Sequence, residues 1–193
     1  MELHEIHPRV DAAVRKLSKR GVTSDAINEA LAAAFVDLFE VNGQAVRPSS
    51  PYGNYSDGIK LGFYTHRDPL LRSDSREYVV LTLLASEQAE RNLGLHVFIA
   101  LVNGITPAEV VHIMFLTGVY RGINVLTNGL RVVAKTFDAV IAAADAPPTA
   151  TGDRSAITGE VIRKVLSAFP DPKYDEAKKN LEGDRGGDGG KGW

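Results

Sequence analysis

Two histidines stand inside stretches that are otherwise apolar: His96 in LGLHVFIALV and His112 in VVHIMFL. An imidazole changes charge near neutral pH and is costly to bury without a hydrogen-bond partner. His96 is therefore a candidate acid or base, although a histidine on an apolar helix more often serves as a satisfied core residue. Glu77 opens the helical stretch before His96. It too has a structural reading, since Asp74-x-x-Glu77 has the form of a capping box. His112 has only Glu109 as an acidic neighbour one turn away, and surface or interface polarity accounts for it. In the segment 44–72, Tyr52, Tyr55, Tyr64, His66 and Arg67 mix aromatic and polar character. They are placed either to line a pocket or to pin the loop to the surface, as loops carry binding residues disproportionately.

Other chemistries lack their residues. The chain has no cysteine, which excludes disulfides, thiolate metal sites and thiol peroxidase chemistry. Its five histidines form no HExxH or other i,i+4 pair, so no metal site is expected. There is no GxGxxG, no Walker A sequence and no GxSxG elbow. No cofactor is implied. The formal charge of −2 argues against nucleic-acid binding by charge. MELHEIHPRV lacks the apolar run of a signal peptide and no stretch is long enough to span a membrane, so a cytoplasmic protein without membrane contact is expected.

The elements that must position these residues are helical. Hydrophobic residues make up 44% of 193 positions, enough for one sizeable core. Pro8 can open a first helix running to about Lys19. Thr23, Ser24 or Asp25 can cap a second, ending near Asn42-Gly43. Together, 1–43 form an N-terminal helical extension. The segment 44–72 carries four prolines and glycines in its first fifteen positions and reads as a long loop. A dense helical core follows over 73–145. One helix there starts after Ser73-Asp74 and breaks near Asn92. A second closes on Asn103-Gly104. Thr106-Pro107-Ala108-Glu109 starts a third as a capping box with Pro at its first position. A fourth runs from about Asn124 to Ala144. The region 146–180 holds a linker and a last helix from about Thr158 to Phe169, and 181–193 is a Gly-rich tail. The fold class is all-α.

YVVLTLLA, LHVFIALV and VVHIMFLTGVY are apolar on nearly every side. Helices of that kind are buried, and about 75 residues cannot wrap three of them. The flanking helices cover part, and subunit contacts are expected to cover the rest.

The central block resembles the carboxymuconolactone decarboxylase family, which shares its fold with alkyl hydroperoxidase D. Three pieces carry the resemblance: SREYVVLTLLAS, GLHVFIALVNGITPAEV and GVYRGINVLTNGLRVV, in that order over about 71–143. In the redox branch of the family a Glu precedes a CxxC pair and a His follows it. Glu77 and His96 occupy those Glu and His positions, while Ala89 and Asn92 replace the two cysteines. The chain thus resembles the Cys-less decarboxylase branch, with Leu116 where that branch often carries His or Gln. The resemblance implies an alkyl hydroperoxidase D-like helical bundle and a closed homo-oligomer, a trimer or a hexamer of trimers. It also implies a cofactor-free carboxy-lyase acting on a small unsaturated acid or lactone.

Decarboxylation of such an acid leaves a carbanion delocalised into a conjugated carbonyl, and one imidazole can return the proton. His96 and Glu77 are the expected catalytic pair, with Glu77 setting the tautomer of the ring. Arg76, Arg91 or Arg121 can clamp the substrate carboxylate bidentately. Arg121 stands beside the Tyr120-x-Gly122 element, and a salt bridge is its competing use. Tyr120, Tyr64 and His66 complete the expected binding set. A different class of function remains open beside this one: a non-catalytic oligomeric helical protein that keeps the fold.

Overall fold

A computed structural model describes residues 3–30, 72–147 and 153–170, which belong to one compact unit. The described residues are helical, with no strand among them. Helix α1 spans Leu3–Lys19, and a helical segment covers 24–30. Then come α2 (Ser73–Ser86), α3 (Glu90–Val102), α4 (Pro107–Arg121), α5 (Ile123–Asp145) and α6 (Arg154–Ser167). The all-α class follows. None of these helices is long and apolar enough to cross a membrane.

Helix α5 is the spine. Its buried positions, among them Val125, Gly129, Val132, Val133, Thr136 and Val140, recur at three- and four-residue steps and make one broad apolar face. Against that face lie α1, α3, α4 and α6. Helix α1 runs in the same direction as α5. The His7 ring meets Phe137 edge-on at 6.5 Å, and further along Lys16 Nζ reaches Asp145 at 3.2 Å. Arg20 then donates to the Ala146 carbonyl.

Helices α4 and α5 form an antiparallel hairpin. Gly122 joins them at φ 98°, a conformation that only glycine adopts without cost. One turn earlier a Cβ on Gly118 would lie 2.5 Å from Leu126 Cβ, so glycine lets the two backbones approach. The start of α4 is the full capping box read from the sequence. Thr106 Oγ1 accepts from Glu109 N–H at 3.2 Å, and the Glu109 carboxylate accepts from Thr106 N–H at 2.7 Å.

Four boundaries differ from the sequence reading. Pro8 lies inside α1 rather than opening it. It is exposed, and the helix forgoes a backbone bond there without burying a clash. Asn92 lies inside α3, and the break comes at 87–89, where Gln88 takes φ 54°. The last helix starts at Arg154, four residues before Thr158, because Asp153 accepts from Ser155 N–H and caps it. Finally, Glu77 caps nothing. Arg72 is the N-cap of α2 and makes no side-chain cap bond, while Asp74 Oδ1 takes the Ser75 N–H at 2.7 Å.

The three apolar helices of the central block are buried to different extents. In α3 the run Val97–Leu101 is entirely buried. Helices α2 and α4 are buried on one face only and leave Val79, Leu83, Phe115, Leu116, Val119 and Tyr120 exposed on the other; Ile123, at the start of α5, is exposed too.

Candidate acid–base site

The turn at 87–89 folds α3 back along α2. Ala89 N–H closes it on the Leu84 carbonyl at 3.0 Å, and Gln88 N–H bonds the Ala85 carbonyl at 3.1 Å. On α2, Glu77, Leu81 and Ala85 are buried, one above the next at four-residue spacing, so they form the face turned inward. That spacing puts a carboxylate on the apolar side of the helix. His96 sits nearly two turns into α3 and meets it: His96 Nδ1 and Glu77 Oε2 are 2.9 Å apart. The side chains are 14% and 3% exposed.

A carboxylate this dry is tolerated only with a partner. The contact fixes the ring. With Nδ1–H donating to Glu77, Nε2 carries the lone pair, and Nε2 makes no hydrogen bond among the described residues. A histidine held by a carboxylate through one nitrogen and open at the other can take up and return a proton. This is the pairing expected from the sequence, and the capping role for Glu77 is excluded by its geometry.

The same end of α2 is tied to α4. Tyr78 Oη donates to Glu109 Oε1 at 3.1 Å, while Glu109 Oε2 holds the Thr106 N–H and hydroxyl, each at 2.7 Å. The Thr106 N–H, then its hydroxyl, then Tyr78 hold the Glu109 carboxyl below its ordinary range. Partial desolvation, and after it the bond to the Glu109 carboxylate, push the Tyr78 phenol up. A second tie joins α3 to α5: Arg131 donates to Glu90 at the start of α3 and to Asn128 Oδ1 at 2.6 Å. Neither Tyr78 nor the Glu90–Arg131 pair stands out in the sequence. Tyr78 has one retrospective signal, its place beside Glu77. Glu90 and Arg131 have none, because 41 residues separate them.

The other expected site residues fall in three places. Arg76 is half-buried on α2 beside Glu77. Tyr120 is 86% exposed, and Arg121 is exposed at the end of α4. Neither makes a hydrogen bond to Glu77 or His96. Tyr64 and His66, with the rest of the expected loop 44–72 up to 71, lie outside the described residues. Arg91 donates to the carbonyls at the end of α6. His112 is exposed. Leu116 is half-exposed on the outer face of α4. Ala89 is the N-cap of α3, and Asn92 is exposed in its first turn.

A shallow cleft lies elsewhere, where α1, α5 and α6 meet, and includes neither Glu77 nor His96. Its cations are engaged: Arg20 bonds the Ala146 carbonyl, and Lys164 pairs with Glu160 at 3.0 Å. The Glu77–His96 pair thus lies apart from this cleft. Among the described residues no three His, Asp or Glu side chains gather as metal ligands. No family model matches the chain, and no curated protein or solved structure matches it either.

Proposed function

We propose that the chain is a cofactor-free carboxy-lyase or related proton-transfer enzyme for a small unsaturated acid or lactone. The reading follows the carboxymuconolactone decarboxylase resemblance. The observation that carries it is the buried contact between Glu77 Oε2 and His96 Nδ1, with Nε2 left over. In the proposed reaction the C–C bond to the substrate carboxylate breaks and CO2 leaves. The electron pair passes into the conjugated carbonyl. His96 Nε2, protonated beforehand, delivers its proton to the carbon that lost CO2. Glu77 stabilises the imidazolium that exists before delivery and holds the ring upright afterwards. Arg76, on the same helix as Glu77, is the guanidinium proposed to hold the substrate carboxylate. Tyr64 and His66 are the loop's proposed contribution, and Tyr120 and Arg121 the contribution from the end of α4. The same reading includes a closed homo-oligomer, a trimer or a hexamer of trimers, in the cytoplasm.

The test is CO2 release from conjugated lactone monocarboxylic acids, run in D2O. Turnover with one deuterium at the former carboxyl-bearing carbon, lost in His96→Gln, is the expected result. No turnover across such acids, with the Glu77–His96 contact intact, turns the reading to the non-catalytic alternative. The exposed apolar faces of α2 and α4 suit that alternative as well as the enzyme, since assembly requires no chemistry.

A further inference from the structure

Every large hydrophobic residue exposed among the described residues lies on α2, on α4 or at the first residue of α5. Helix α4 carries most of them. His112, Phe115, Leu116, Val119 and Tyr120 are related by steps of three and four residues, the spacing of a single helical stripe, and Ile123 follows it across the Gly122 turn. The stripe is opposite the buried positions Val110, Val111, Ile113, Met114, Thr117 and Gly118. It contains no formal charge other than His112 when protonated, and Arg121 falls outside it. Val79 and Leu83 are exposed on α2, which packs beside α4.

The size of this surface is informative. Aromatic residues such as Phe115 and Tyr120 present roughly 150–250 Å² each, and Val, Leu and Ile somewhat less. Exposures of 46 to 86% over seven of them leave on the order of 800 Å², about one partner's share of a standard protein interface. The largest apolar patch of an ordinary monomer is roughly 300–600 Å².

The number of such surfaces points to a symmetry. A head-to-tail contact needs two different complementary patches, whereas a two-fold contact needs one patch that matches itself. The described residues expose one. We infer that the α2–α4 face is a two-fold interface with a second copy of this chain, the α4 stripes packing against one another across the axis. This deepens the oligomer part of the proposed function and is independent of the chemistry at His96. It fits a dimer, or the dyads of a hexamer.

In an antiparallel α4 pair only residues near the middle of the stripe meet their own symmetry mates, which places Leu116 and Val119 at the axis. The absence of cysteine makes a direct experiment possible on the full chain. Val119→Cys and Leu116→Cys are made singly, with Ala134→Cys on the exposed side of α5 as control. Mild oxidation is expected to convert most of one or both stripe variants to a disulfide-linked dimer and to leave the control uncrosslinked. Light scattering of the wild type is expected to give an even number of chains, and Val119→Asp, a change at a 76% exposed position, to halve that mass. A monomeric wild type overturns both this interface and the oligomer reading. An oligomer with an odd number of chains, or with no stripe crosslink and an unchanged mass in Val119→Asp, overturns the interface alone.

Discussion

Arg91 Nη1 donates to the Phe169 carbonyl at 2.8 Å and to the Leu166 carbonyl at 3.2 Å. A guanidinium from the first turn of α3 thus binds two carbonyls where α6 ends, a place where carbonyls lack a full set of intrahelical partners; the Leu166 carbonyl also accepts from the Phe169 N–H at 3.0 Å. The bond holds α6 against the helix that carries His96. It also occupies a cation that would otherwise be available to a substrate carboxylate.

Arg91→Met keeps most of the side-chain volume and removes both bonds. It is expected to cost about 1–3 kcal/mol, the range for a buried acceptor left unpaired, here the Phe169 carbonyl. The loss should concentrate in α6. Hydrogen exchange is the check: amides of 161–167 should lose protection before those of α5. Uniform loss across all helices would mean that α6 is not held by this contact.

Just below that bond, a Cβ on Gly94 would lie 2.3 Å from Phe169 Cε2. Gly94→Ala must therefore displace a buried ring, and a destabilisation of about 1–3 kcal/mol is expected. Phe169→Leu should recover part of it in a double-mutant cycle. Gly159 in α6 provides the contrast, because a Cβ there meets only Arg163 Nη1 at 3.7 Å. Gly159→Ala should stabilise by about 0.4–1 kcal/mol through helix propensity and a stiffer unfolded chain. Urea midpoints of the two variants should move in opposite directions.

The Thr106–Glu109 cap makes one part of the stability pH-dependent. Hydrogen bonds hold the Glu109 carboxyl below its unfolded value, so folding favours the ionised form. The contribution is complete above the unfolded pKa and is lost as pH falls through the folded pKa. Wild type should thus exceed Glu109→Gln in urea midpoint at pH 6, with the difference shrinking below about pH 4. A constant difference over that range would assign the effect of the substitution to something other than ionisation. At the alkaline end the sign is opposite. Tyr78 is pushed up, so its contribution is complete below its unfolded pKa and fades as pH rises through the folded one.

For the chemistry, His96→Gln should lower kcat by roughly 10²–10⁴, the usual contribution of a general acid or base. The helical circular dichroism should be retained. Glu77→Gln should lower it less if the carboxylate orients the ring and supports its charge. Near-wild-type turnover in folded His96→Gln would remove His96 from the mechanism.

The sequence was most legible where a local pattern states its own geometry. Thr106-Pro107-Ala108-Glu109 specifies a helix start in four residues, and the structure has it bond for bond. The helical class was legible for the same reason, from periodicity and punctuation. The break between α2 and α3 was not, because 87–89 holds no glycine or proline and turns through Gln88 at positive φ. The start of α6 is hidden because Asp153, which caps it, follows directly on a Pro- and Thr-containing stretch that reads as linker. At the site, Glu77 and His96 were each visible as polar residues on apolar helices. Asp74-x-x-Glu77 gave two competing uses for the carboxylate, and only the packing of α2 on α3 decides between them. Arg91 and Arg131 find partners on distant helices, and no local pattern announces such contacts.

Under the proposed function Glu77 holds His96 with its proton on Nδ1, leaving Nε2 for proton transfer. Ring ¹⁵N chemical shifts of His96 measure this without a substrate. In the neutral ring a protonated Nδ1 and an unprotonated Nε2 are expected, with the preference weakened or lost in Glu77→Ala. A His96 that carries its proton on Nε2 in the wild type, unchanged by Glu77→Ala, would contradict it.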